Sequence, residues 1–104
     1  MNWETVTFIR IYLTEADKTL EPLLKKLHDQ EKVRGVTVFR AMSGFGGSGV
    51  IHTASLVDLS LDLPVTVEFF DSPDKVDAIL EHLSDMLEGG HIVRWQAEMN
   101  TVDD

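Results

Sequence analysis

Cysteine is absent from the 104-residue chain, which rules out disulfides, thiolate metal sites and a thiol nucleophile. Basic residues are few, 9 against 18 acidic ones, and the formal net charge of −9 repels nucleic acid and anionic lipid surfaces at long range. No apolar run nears the ~20 residues of a membrane-spanning helix. The opening Met1-Asn2-Trp3-Glu4 lacks the basic-then-apolar pattern of a secretion signal. A cytoplasmic protein with no nucleic-acid partner and no direct membrane insertion is therefore expected. Tyrosine occurs once, at Tyr12, and asparagine only at Asn2 and Asn100. Between Arg40 and Lys75 there is no lysine or arginine, and no serine and histidine stand at a spacing recognisable as nucleophile and base.

The residues that are there, 43% hydrophobic and 26% charged, suit one globular domain over 1–104. Alternation over 6–13 predicts a strand with Ile9, Ile11 and Leu13 on one face and Phe8, Arg10 and Tyr12 on the other. Leu20, Leu23, Leu24 and Leu27 recur at helical spacing, with Thr19 as candidate N-cap and Pro22 in the first turn. Strands are predicted again over 35–42, 64–70 and 92–99. Before the last of these, Ser72-Pro73 opens a helix whose stripe is Val76, Ile79, Leu80, Leu83 and Leu87, ended by Gly89-Gly90. The order β-α-β-β-α-β implies an α+β ferredoxin-like sandwich, an antiparallel sheet with both helices on one face and a long loop between strands 2 and 3.

The uncovered face of that sheet is expected to carry Phe8, Tyr12 and Phe70 among Arg10, Glu68, Arg94, Gln96 and Glu98, a mixture that suggests an interface. Trp95, alternating with Val93 and Ala97, reads as core. Arg10, Arg40 and Arg94 fall inside predicted strands, whereas every lysine falls on a helix or loop. Arginine there serves either salt bridges, to Glu68 and Glu98, or recognition of a ligand phosphate. The stretch 44–61 holds four of the seven glycines, Gly44, Gly46, Gly47 and Gly49, directly after a β-branched strand. Glycines in such a place let backbone N–H groups approach an anion, and a connection that long is usually functional. His52 is a candidate ligand residue in this loop, while His28, His82 and His91 match no zinc spacing. Asp77, Glu81, Asp85 and Glu88 read as a solvated face of the second helix.

Three motifs together carry a resemblance: Gly35-Val36-Thr37-Val38 with Gly44-Phe45-Gly46, then Gly49-Val50-Ile51-His52-Thr53, then Asp62-Leu63-Pro64-Val65. Over about residues 8–98 the chain resembles the PII-like proteins, a group of small proteins related to the PII nitrogen regulators. The resemblance implies a non-enzymatic homotrimer whose subunits meet through their sheets, with an adenine nucleotide (AMP, ADP or ATP) as effector in the cleft between neighbours and no required cofactor or metal. It also implies that the loop regulates a partner protein, often a membrane transporter. Carried over by position, Gly35 and Thr37 match the second strand, Gly44, Phe45 and Gly46 the loop entrance, and Gly89-Gly90-His91 the phosphate-cradling turn. Arg40 and Arg94 then supply the side-chain cations, and their scarcity favours the less charged nucleotides. Because the loop has no tyrosine, tyrosine uridylylation is excluded. The alternatives are a structural trimer resembling the CutA group and a small phosphate-handling enzyme of the acylphosphatase type.

Overall fold

The computed structural model describes residues 1–45, 62–102 and the backbone of 52–53. Four strands form the main sheet: β1 (Asn2–Thr14), β2 (Thr37–Arg40), β5 (Pro64–Asp71) and β6 (Ile92–Thr101). Their order is β2-β5-β1-β6, with every neighbouring pair antiparallel. Helices α1 (Leu20–Asp29) and α2 (Pro73–Leu83) follow β1 and β5. This is the ferredoxin-like arrangement, in which the first and third main strands are central and the second and fourth are edges.

Stability is concentrated on the helix side of the central strands. Ile9, Ile11 and Leu13 of β1 and Val65, Val67 and Phe69 of β5 pack against Leu23 and Leu27 of α1 and Val76, Ile79 and Leu83 of α2. Full burial of such a side chain is worth roughly 1.5–3 kcal/mol. The edge strand β2 contributes no buried residue at all.

Several local expectations need correction. Thr19 and Ser72 occupy the N-cap positions, but neither side chain makes a cap hydrogen bond. The preceding carboxylates bond instead to the cap residues' own N–H groups: Asp17 Oδ1 accepts from the Thr19 N–H at 2.8 Å, and Asp71 Oδ1 from the Ser72 N–H at 2.8 Å. Helix α2 ends at Leu83, where the Ser84 hydroxyl bonds back to the Glu81 carbonyl, so Asp85 and Glu88 lie beyond it and the proposed row of four carboxylates does not form. Strand β2 is shorter than 35–42, and β1 and β6 run further, pairing from Asn2↔Thr101 to Ile11↔Ile92. The long connection after β2 is not without strands. Its base is a two-stranded ribbon of β3 (Ser43–Gly44) and β4 (His52–Thr53), paired Ser43↔Thr53 and Gly44↔His52. Gly46 and the remainder of that connection lie outside the described residues.

The largest correction concerns the last strand. Register pairs Phe8 with Trp95 and Ile9 with Arg94. Cross-strand partners share a face, so Trp95, Val93 and Ala97 lie on the open face and Arg94, Gln96 and Glu98 on the helix side, the reverse of the expectation.

Candidate functional site

On the open face the aromatic side chains form a layer. Phe8 stacks on Trp95 at 4.7 Å between centroids and on Phe70 at 6.0 Å, with interplanar angles of 22° and 19°. The Arg10 guanidinium sits over the Trp95 ring at 5.3 Å and donates from Nε to Glu68 Oε1 at 2.6 Å. Arg10 thus makes the expected bridge to Glu68. Tyr12, Phe39, Val93 and Trp95 stay exposed, Trp95 by 39% and Phe39 by 53%. The antiparallel register puts Phe39 beside Thr66 on this same face. An apolar layer of this kind, left uncovered, marks an interaction surface.

At the β2 side of the layer lies an open groove of about 400 Å³, lined by Phe8, Arg34, Gly35, Thr37, Phe39 and Phe70 with Glu68 and the backbone around Val36 and Phe69. That volume falls in the range of small-molecule sites. The segment entering β2 is pinned from several sides. His82 Nδ1 meets the half-buried Glu31 at 2.5 Å, and the Lys75 ammonium donates to the Lys32 carbonyl at 3.1 Å. Lys32 adopts a left-handed φ of 51°. Arg34 lies over the Phe70 ring at 5.8 Å and reaches Asp71 Oδ1 at 3.4 Å. These contacts hold Arg34 and Gly35 at the groove wall. Arg34 was missed by attention to arginines inside strands; its position immediately before Gly35 was the available signal.

Asp71 is the buried charge of the region, 4% exposed. Its Oδ2 has no well-formed hydrogen bond and depends on the Lys75 ammonium 3.2 Å away. Burial pushes the Asp71 carboxyl up, but the Ser72 N–H, Lys75 and Arg34 together outweigh it and hold the group below the usual carboxylate range. A depressed folded pKa contributes stability that is complete above the unfolded value near ~3.9 and is lost as pH falls through the folded one. Thermal unfolding followed from pH 6 down to 2.5 is therefore expected to show an acid loss of stability that Asp71→Asn reduces. Parallel pH curves for variant and wild type would contradict the assignment.

Of the ten sequence-selected site residues, those described do not converge in one protomer. Gly35 and Thr37 line the groove. Arg40 lies at the other end of β2 and is bound to Glu15, its Nη2 at 3.2 Å from Oε2. Gly44 sits in the β3–β4 ribbon, where a Cβ would come within 3.1 Å of Pro64 Cγ, so close packing already accounts for it. Phe45 is exposed at 71%. His52 is described only as backbone paired with Gly44, and Gly46 lies outside the described residues. Gly89 and Gly90 form the exposed turn before β6, with Gly90 at a φ of 89° that favours glycine. The carbonyl of the following His91 accepts from the Tyr12 N–H at 2.8 Å, and the His91 Nδ1 lies 2.8 Å from the Tyr12 carbonyl. Arg94 is on the opposite edge from β2 and reaches Asp77 Oδ1 at 3.1 Å in an exposed pair, not Glu98. Three strand spacings, roughly 14 Å, separate the β2 set from the β6 set. Among the described residues no group of three histidines or carboxylates is placed to hold a metal ion, and no helix is long and apolar enough to cross a membrane.

Fold and groove together define an α+β protein of PII-like architecture. The structure is similar to that of CPII, a nitrogen regulatory PII-like protein from Thiomonas intermedia K12 bound to ADP, AMP and bicarbonate. The two chains have a TM-score of 0.63 and 20% identity over 94% of this chain and 89% of that one. It is also similar to the divalent ion tolerance protein CutA1 from Ehrlichia chaffeensis, with a TM-score of 0.59 and 7% identity over 95% of this chain and 85% of that one. The chain belongs to the DUF190 family, described as uncharacterized ACR, COG1993, whose profile matches residues 6–99. A relative in sequence is a UPF0166 protein of Aquifex aeolicus (strain VF5), 38% identical over 80 residues that cover 72% of this chain and 75% of that protein.

Proposed function

We propose that this is a non-enzymatic signal-transduction protein. In this reading it assembles as a trimer through its open sheet faces and binds a small anionic metabolite between protomers. The glycine-rich segment 44–61 answers the ligand and engages a regulated partner protein, with a membrane transporter as one candidate. An adenine nucleotide fits the site best. The observation that carries this reading is the groove beside β2, with aromatic walls, an arginine at its rim and a glycine at its entrance. Gly35 has open space where its Cβ would be, and no positive φ requires glycine there. Neither packing nor backbone geometry within one protomer explains it, whereas a ligand or a neighbouring chain would. The groove of one protomer set against the β6 edge of the next would also gather the two separated halves of the candidate site, with Gly89, Gly90 and Arg94 facing Gly35 and Thr37. The ADP and AMP bound to CPII support the choice of ligand.

A structural trimer of the CutA kind is the second reading, favoured by one observation: Arg40 and Arg94 are already engaged by Glu15 and Asp77. Titration calorimetry with AMP, ADP and ATP, with the products analysed, separates the readings. Binding without turnover is the expected result. Silence with all three nucleotides leaves the structural trimer, and turnover overturns the non-enzymatic assignment.

A further inference from the structure

Arg34 is the one cation lining the groove, and its guanidinium carbon lies 5.8 Å from the Phe70 ring centroid. The other charged residue of the lining, Glu68, is 13% exposed at its side chain and already neutralised by Arg10 at 2.6 Å. On the far side of Phe70, the buried Asp71 carboxylate is shared by two cations, with Lys75 at 3.2 Å and Arg34 at the longer 3.4 Å. Two positive charges on one carboxylate leave a net positive charge. Lys75 also donates to the Lys32 carbonyl, which holds it on the Asp71 side, so the surplus belongs to Arg34. In a chain of net charge −9 this is a local positive spot at the mouth of an aromatic groove. The Arg34 Nη1 donates to Met99 Sδ at 2.9 Å and its Nη2 reaches Asp71 Oδ1, but a guanidinium carries five N–H donors, so it can stack with an aromatic ligand and still offer a donor to an anionic oxygen.

We infer that Arg34 is the specificity-determining residue of the groove, selecting a ring-bearing ligand that also carries an anionic group, a nucleoside monophosphate over its nucleoside. The inference rests on the nucleotide-binding reading and deepens it. Lys75 supports Arg34 indirectly: without the ammonium, Asp71 claims the guanidinium for itself and the positive spot disappears.

The test is calorimetric titration of the intact protein with AMP and with adenosine. Wild type is expected to prefer AMP by at least tenfold. Arg34→Met retains an unbranched chain over Phe70 and is expected to erase that preference, lowering AMP affinity far more than adenosine affinity. Arg34→Lys, which keeps the charge without the planar guanidinium, is expected to recover part of it. Lys75→Met is expected to weaken AMP severalfold although Lys75 does not line the groove. Sedimentation and circular dichroism of each variant serve as controls for assembly and folding. An unaltered AMP-to-adenosine ratio in a folded Arg34→Met protein overturns the inference while leaving nucleotide binding standing. If wild type binds neither compound, the proposed function fails together with it.

Discussion

Replacing Trp95 by lysine is expected to reduce the assembly to single protomers in sedimentation equilibrium at micromolar concentration, while far-UV circular dichroism remains that of a folded protein. Trp95 is stacked on Phe8, carries Arg10 over its ring, and still leaves 39% of its surface exposed on the β6 side of an uncovered aromatic layer. Aromatic anchors of interfaces can contribute about 2–4 kcal/mol, and the loss of one weakens association by roughly 30-fold to 1,000-fold. Lysine removes that anchor and sets a second cation beside Arg10, which an apolar contact cannot solvate. The fold should survive because the buried set, Ile9, Ile11, Val67 and Phe69 among them, is on the other side of the sheet. An unchanged mass in the variant would show that the open face is not the contact. A wild-type protein that sediments as one chain would remove the trimer and the shared cleft with it.

Gly35→Ala is expected to weaken AMP or ADP binding at least tenfold without lowering the melting temperature. A Cβ at this position meets nothing within 4 Å, and the backbone there is not left-handed. Alanine at a position whose conformation it can adopt often stabilises by about 0.4–1 kcal/mol through the unfolded chain. A loss of affinity beside equal or higher stability would therefore report what occupies the space next to Gly35 in the assembled, liganded protein. Equal affinity in variant and wild type would place the ligand elsewhere. A fall in stability together with affinity would point to a neighbouring chain instead.

Much of the architecture is legible without coordinates because it is local. Helical spacing at Leu20, Leu23, Leu24 and Leu27, and at Val76, Ile79 and Leu83, marks the faces that are buried in the fold. The alternation of Ile9, Ile11 and Leu13 likewise assigns the core side of β1, and Pro64 and Pro73 stand at the first positions of β5 and α2. The cap side chains are less legible. Thr19 and Ser72 stand at the caps without a side-chain cap bond, and Asp17 and Asp71 accept instead from the N–H groups of those cap residues.

The last strand shows where local pattern stops. Period-two alternation separates Val93, Trp95 and Ala97 from Arg94, Gln96 and Glu98 but does not state which set faces the helices. The apolar set looks like core, yet pairing with β1 turns it to the open face, because a shift of one residue in register exchanges the two sides of a strand. Likewise, the sequence alone singled out glycines and arginines as candidates for an anion. Only the tertiary structure put Arg34 at the groove and held Arg94 on the opposite edge, since the strand order β2-β5-β1-β6 arises from pairings between distant segments. Local chemistry determined the elements and their buried faces. Long-range register decided which side chains meet, because that choice depends on partners far along the chain and not on the neighbours of each residue.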